Sequence, residues 1–365
     1  MTRLIVGAGG GGDAVAAAML HAALYGEENP AVILTYAWDR LLIDAVPGPR
    51  RPTDFTGLER LTPAVWTVPA RARPIAPAGS TLPRLAAETP HTFALIDPYQ
   101  GAEGIIRQLE DAVRHLEPES IDLLDVGGDI LARGDEPTLK SPLADALTLA
   151  ACCQVNAPVR LLVAGPGLDG ELPPEEVGDL LGPVVHTFTA RDVEVISSVL
   201  EWHPSEATAL LAATARGVRG ACELRDAGPP VPLTDESPAV HEVDLDDAVS
   251  RNQLARAVMA TAHLDEAEAH SREICGHCET DRERDKAPWL GEQLPAQLDP
   301  AVIRAQLDQF ETEAHARGVT HTTFHRITEA LNLNGSQRTE LRQLLIDGRP
   351  EQYDAPLWRI TTRAG

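Results

Sequence analysis

The first two thirds of this 365-residue chain are filled by one alternation, and it leaves few folds open. Short runs of Val, Ile and Leu are separated by longer segments with helical periodicity. The runs are Arg3 to Val6, Ala31 to Tyr36, Thr92 to Ile96, Ile121 to Val126, Val159 to Ala164 and, more weakly, Val184 to Phe188. Continuous apolar runs of this kind are strands buried on both faces, and the helical patterns at 13–25, 102–115, 143–155, 191–200 and 205–216 supply the covering layers. The expected fold is α/β: a doubly wound, mainly parallel, Rossmann-like sheet over residues 1–245, followed by a helical C-terminal extension over 246–365. Within the extension, THTTFHRITEALNL and SQRTELRQLLI resemble a small helical or winged-helix module, suited to a lid or to contact between copies of the chain in a homo-oligomer. The stretch from Pro47 to Pro90 is rich in Pro, Arg and Thr with little periodicity, the mark of an ordered functional insertion or a flexible cover.

Charge narrows the partners. With 55 Asp and Glu against 31 Lys and Arg, the formal charge is -24, a field that repels phosphate backbones and anionic membranes. Nucleic acid is therefore not an expected partner; a small-molecule substrate is. Lys140 and Lys286 are the only lysines, which disfavours Schiff-base chemistry. No apolar run reaches a membrane-spanning length, and five cysteines form no even framework, so the expectation is a cytoplasmic chain with reduced thiols and no membrane partner.

Ligands of an open parallel sheet sit beyond the carboxyl ends of its strands, so the residues just past each strand matter most. The first strand leads into GAGGGGD, the second into Trp38, Asp39 and Arg40, and the third into Asp97. The fourth gives DVGGD, Asp125 to Asp129, and the fifth GPGLDGE, Gly165 to Glu171. Asp13, Asp39, Asp97, Asp125, Asp129, Asp169 and Glu171 would then share one rim. Clustered carboxylates hold hydroxyls or a divalent cation such as Mg²⁺; taken singly, each Asp also suits a helix cap. Gly9, Gly10, Gly11 and Gly12 would take a phosphate or ribose, and Gly127 and Gly128 would let a ligand approach the backbone. In HPSE, Ser205 reads as an N-cap, His203 as an acid or base reaching the rim, and Glu206 as a substrate contact or a helix-dipole partner. SPLAD, Ser141 to Asp145, reads as a structural helix start with Pro142 in its first turn. CGHC, Cys275 to Cys278, lacks the second pair a zinc site needs and reads as a solvent-side feature. Arg50 and Arg51, after Pro-Gly-Pro, would fold over an anionic group or serve as surface charge.

Taken in order, GAGGGGDAVAA, AWDRLLIDAVPGPR, LIDPYQGAEG, LLDVGGDILARGDEPTLKSPLADALTLAA, AGPGLDGEL and HPSEATALLAATARGVRG resemble the domain-of-unknown-function 1152 family, a group of prokaryotic cytoplasmic proteins, over roughly residues 1 to 260. The resemblance implies a Rossmann-like α/β fold and hands over no reaction and no catalytic residue; CGHC lies outside its motifs.

Three functions compete. First is an enzyme acting on a small polar substrate, a nucleotide, nucleoside or phosphorylated sugar, by hydrolysis or group transfer, with Asp13, Asp125, Asp129 and His203 as its chemistry. Second is an NAD(P)-dependent oxidoreductase: Gly7, Gly9 and Gly12 fit the dinucleotide spacing, but Asp39 comes 27 positions after Gly12 where about 20 is usual, and Asp13 competes with an anion. Third is a non-catalytic ligand-binding or scaffold protein using the same rim.

Overall fold

The computed structural model describes all residues except 1, 27, 29, 293–296 and 362–365. Five strands run parallel: β1 (Leu4–Gly10), β2 (Val32–Tyr36), β3 (Thr92–Ile96), β4 (Ile121–Val126) and β5 (Val159–Ala164). Their spatial order is β3-β2-β1-β4-β5 within a nine-stranded sheet. The chain thus builds outward from β1 in one direction and then returns to its other side, so the reversal falls between β1 and β4. Beyond β5 lie β6 (Val184–Thr187) and β7 (Ala239–Val243), with β7 inserted antiparallel between β5 and β6. The Rossmann-like α/β fold expected from the alternation is the fold observed.

Side-chain alternation along the strands divides the core. Leu4, Val6, Ala8 and Leu34 point to one face, under α2 (Gly101–Leu116) and α3 (Pro142–Cys152). Ile5, Ile33, Leu124 and Leu162 point to the other, under α1 (Gly12–Tyr25) and α4 (Glu206–Ala215). Ser205 caps α4, its side chain accepting from the Thr208 N–H at 3.2 Å. The expected 191–200 helix is broken into the short pieces Ala190–Val193, Glu194–Ile196 and Ser197–Leu200. The 47–90 insertion is ordered: its strand Trp66–Thr67 pairs antiparallel with β3 and extends the sheet.

The packing does not divide at residue 245. Helices α5 (Leu245–Arg251), α6 (Gln253–Val258) and α7 (Leu264–Cys275) bury Ala248, Leu254, Ala255, Val258, Leu264 and Ala267 against the α2 and α3 side of the sheet. They are part of the first core, which composition hid because their exposed faces are acidic. Cys278 is buried there too, so CGHC is not a solvent-side feature; it ends α7 at Gly276 (φ +73°) and turns the chain into α8 (Glu279–Glu292). A separate core belongs to α9 (Pro300–Ala316), α10 (Phe324–Ala330) and α11 (Arg338–Gly348), closed by the hairpin Tyr353–Asp354 and Leu357–Arg359. A helix, a short strand, two helices and a hairpin form a winged-helix-like order. This unit attaches through a five-stranded sheet in which Gly220–Glu223 pairs with His321–Thr322. Arg342 of α11 bonds Glu201 and Tyr353, and Arg338 bonds the Trp202 carbonyl, so these arginines face the protein itself. None of the described helices is long and apolar enough to cross a membrane.

Candidate functional site

A cavity of about 840 Å³ opens where β1 and β4 diverge, walled by α3, α4, α8 and the α10–α11 turn. Its floor is built in sequence order. β1 runs through Gly7–Gly10, so most of the glycine run is strand and the turn begins only at Gly11. Asp13, in the first turn of α1, bends back to accept the Gly9 N–H at 2.6 Å. A β-carbon on Gly9 would lie 3.1 Å from Asp145 Oδ2 and 3.2 Å from Asp13 Oδ2, and one on Gly10 would lie 2.7 Å from the Trp38 carbonyl. The glycines therefore admit the protein's own carboxylates and backbone.

Asp125 closes β4, held by the N–H groups of Gly128 and Ile130. Asp145 arrives from α3, which is pinned against the sheet because Thr148 donates to the Ala8 carbonyl at 2.8 Å and shares a hydrogen bond with the Tyr36 hydroxyl. Carboxylate oxygens of Asp13, Asp125 and Asp145 all lie within 4.8 Å of one another. Asp125 is 1 % and Asp145 4 % exposed, and Asp125 Oδ2, Asp145 Oδ1 and Asp169 Oδ2 have no hydrogen-bond partner. Such an arrangement costs free energy unless something neutralises it. Burial pushes Asp125 up to about 7; it also raises Asp13, Asp129, Asp145 and Asp169 well above the ordinary carboxylate range, with the neighbouring acids adding to the effect.

Of the residues expected from sequence, Gly9 to Gly12, Asp13, Asp39, Asp125, Asp129, Asp169, Glu171, His203 and Glu206 line the cavity. Asp97 does not: it accepts from the Tyr99 N–H and starts the turn before α2. Gly127 and Gly128 do not line it either. Gly127 has φ +119°, and a β-carbon there would run into the Asp169 carboxyl, so it places Asp169 and leaves no path for ligand to backbone. Glu171 is a brace, accepting from the N–H groups of Lys140 (2.6 Å) and Ser141 (3.0 Å). Asp39 is held by Thr81, whose N–H and hydroxyl both donate to it (3.0 and 2.7 Å). Glu206 accepts from Arg225 N–H and Thr323, tying α4 to the C-terminal unit.

His203 is buried and its Nδ1 accepts the Ser205 N–H at 3.2 Å, which leaves Nε2 as the protonated nitrogen, without a partner. Burial, aided by Arg338, lowers its pKa to about 3, so it is neutral at physiological pH with Nε2–H free to donate; the expected titration near neutrality is not what this environment gives. Arg50 does not fold over the cavity: it is buried in an ion pair with Asp44 at 2.9 Å, while Arg51 lies over the Tyr99 ring.

Asp145 was hidden in SPLAD. The available signal was one acid in PLADALTLAAC, a helix buried at every position. Glu279, Arg282, Glu283 and Lys286 also line the cavity from one face of α8; nothing in the local pattern of that charged helix distinguishes this face from a solvated one. Glu279 accepts the Leu143 N–H at 3.1 Å and caps α3, and burial raises it to about 8.

No curated protein and no solved structure matches the chain. A family model does, over residues 4–287, which span every floor carboxylate, α8 up to Ala287 and none of the C-terminal unit: the chain belongs to the family described as Protein of unknown function (DUF1152).

Proposed function

We propose that this chain is an enzyme that acts on a small polar substrate by hydrolysis or group transfer, using a divalent cation held by Asp13, Asp125 and Asp145. The observation that carries the reading is the meeting of three buried carboxylates at the β1–β4 reversal, Asp13, Asp125 and Asp145, with oxygens within 4.8 Å of one another, Asp125 Oδ2 and Asp145 Oδ1 having no hydrogen-bond partner. Oxygens on opposite sides of one cation with bonds of about 2.1 to 2.4 Å lie roughly 4.2 to 4.8 Å apart, so the spacing fits Mg²⁺, Mn²⁺ or Ca²⁺ after small side-chain movements. All-oxygen donors suit these hard cations. Bound there, the cation would supply Lewis-acid polarisation of a substrate oxygen. Asp169, beside the trio with a free oxygen and a raised pKa, is suited to take a proton from an attacking hydroxyl, and His203 Nε2–H to donate a hydrogen bond to the substrate.

The dinucleotide reading loses support from the same geometry. The Gly9 N–H is spent on Asp13, and the carboxylate of Asp39 is engaged by Thr81. A pyrophosphate at the start of α1 would face Asp13 directly. Calorimetric titration with Mn²⁺ tests the proposal: the wild-type chain is expected to bind one ion, and Asp145→Asn to weaken it by at least tenfold. Equal affinity in wild type and variant, or no binding to either, defeats it.

A further inference from the structure

The chain has two lysines, and both line this one cavity. Lys140 stands just ahead of α3, the helix that carries Asp145. Lys286 stands one helical turn beyond Arg282 on the cavity face of α8. Arg282 Nη1 donates to the Lys140 carbonyl at 3.3 Å, which joins α8 to the α3 entrance. Many arginines elsewhere in this acidic chain close ion pairs, as Arg50 does with Asp44 and Arg349 with Glu311. The side chains of Lys140, Arg282 and Arg40, all in the cavity wall, close none among the described residues; Lys286 has one long pair with Asp226, 3.6 Å.

A chain of net charge -24 thus keeps uncommitted cations beside its densest group of buried carboxylates. Positive charge left unpaired in a cleft is available to a ligand, and low-dielectric walls strengthen its pull. The carboxylate floor alone would repel an anion. A divalent cation bound there would offset most of that charge and offer a coordination position to an anionic oxygen, whose remaining charge would meet Lys140 and Arg282. The cavity volume lies within the range that encloses small molecules of cofactor or nucleotide size.

We propose that the substrate carries a phosphate or diphosphate group, seated between the cation trio and the side chains of Lys140 and Arg282, with Arg40 also in the cavity wall. This rests on the cation reading above and selects a nucleotide or sugar phosphate over an uncharged nucleoside.

The test uses the full chain at pH 7.5, with calorimetry of Mg²⁺ alone and of inorganic pyrophosphate with and without Mg²⁺, for wild type, Lys140→Gln/Arg282→Gln and Arg40→Gln. Arg40 is exposed, so its variant keeps the test available should the double variant misfold. The expected result is pyrophosphate binding that needs Mg²⁺ and weakens at least tenfold in the double variant and at least threefold in Arg40→Gln, with Mg²⁺ affinity unchanged. Mg²⁺ binding with no pyrophosphate binding, or with affinity indifferent to these substitutions, overturns the phosphate subsite and leaves the cation reading standing. Absence of Mg²⁺ binding overturns the cation reading; pyrophosphate binding that still depends on Lys140 and Arg282 would then keep the anion subsite alone, and no binding would overturn both.

Discussion

Asp125→Asn is expected to stabilise the cation-free protein, and to do so more at pH 8 than at pH 5. The Asp125 carboxyl is buried with one oxygen unpartnered beside Asp13 and Asp145, and titrates near 7 where an unfolded Asp titrates near 4. Because the folded value is the higher one, the protonated group favours folding. That contribution is complete below about pH 4 and is lost as pH rises through about 7. The full loss is on the order of 4 kcal/mol, of which about 2.5 kcal/mol falls between pH 5 and pH 8. Asparagine keeps the shape, keeps an acceptor for the Gly128 and Ile130 N–H groups, and never ionises. At an unfolding entropy near 2 cal/mol/K per residue, 2.5 kcal/mol is about 3 °C in a chain of this size. Differential scanning calorimetry in EDTA should therefore show the variant's advantage in Tm growing by about 3 °C from pH 5 to pH 8. Mg²⁺ at about 100 times its dissociation constant should remove most of that advantage at pH 8, because it adds roughly 2.7 kcal/mol to the wild type and much less to a chain missing one ligand. An advantage of the same size at both pH values would mean that ionisation of Asp125 is not what strains the pocket.

Three further outcomes rest on single contacts. Arg50→Ala leaves Asp44 buried without its cation and should cost about 3 to 5 kcal/mol in urea unfolding; a loss under 1 kcal/mol would show that the pair is not holding the 44–50 loop. The His203 imidazole should stay neutral and show no titration by NMR between pH 5 and pH 8, since its pKa lies near 3; a midpoint near 6.5 would contradict the environment described for it. Gly127→Ala forces a β-carbon against Asp169 at φ +119° and should lower stability by about 2 kcal/mol or more; a variant as stable as wild type would mean that this turn does not fix the Asp169 carboxylate.

Much of the fold could be read directly from the residues. The runs at 31–36, 92–96, 121–126 and 159–164 became strands β2 to β5 almost residue for residue, because a strand buried on both faces must be apolar throughout and little else in a soluble chain is. The acidic rim was legible for a related reason: in a parallel sheet the residue after each strand has only one place to go, which brought Asp13, Asp125, Asp129 and Asp169 together. Asp97 broke the pattern because its carboxylate is used by its own turn, a choice made by local backbone geometry that its sequence neighbours also allowed for the others. Composition set a boundary at 245 that the core packing runs across, because α5 to α7 bury a narrow apolar stripe under an acidic surface and composition averages the two.

Local periodicity and simple counting were enough to establish the layers, the strand ends and the excess of negative charge. Which charges face one another was settled by tertiary packing alone. Asp145 lies 132 positions from Asp13, and Glu279 and Arg282 lie more than 130 beyond that. Their meeting depends on α3 being pinned to β1 through Thr148 and on α8 being turned back over the cavity after Gly276. An acid on a helix has the same local signature whether it meets solvent or two other buried acids; the difference lies in what the rest of the chain packs against it, and that is where the cost of its charge, and so its chemistry, is set.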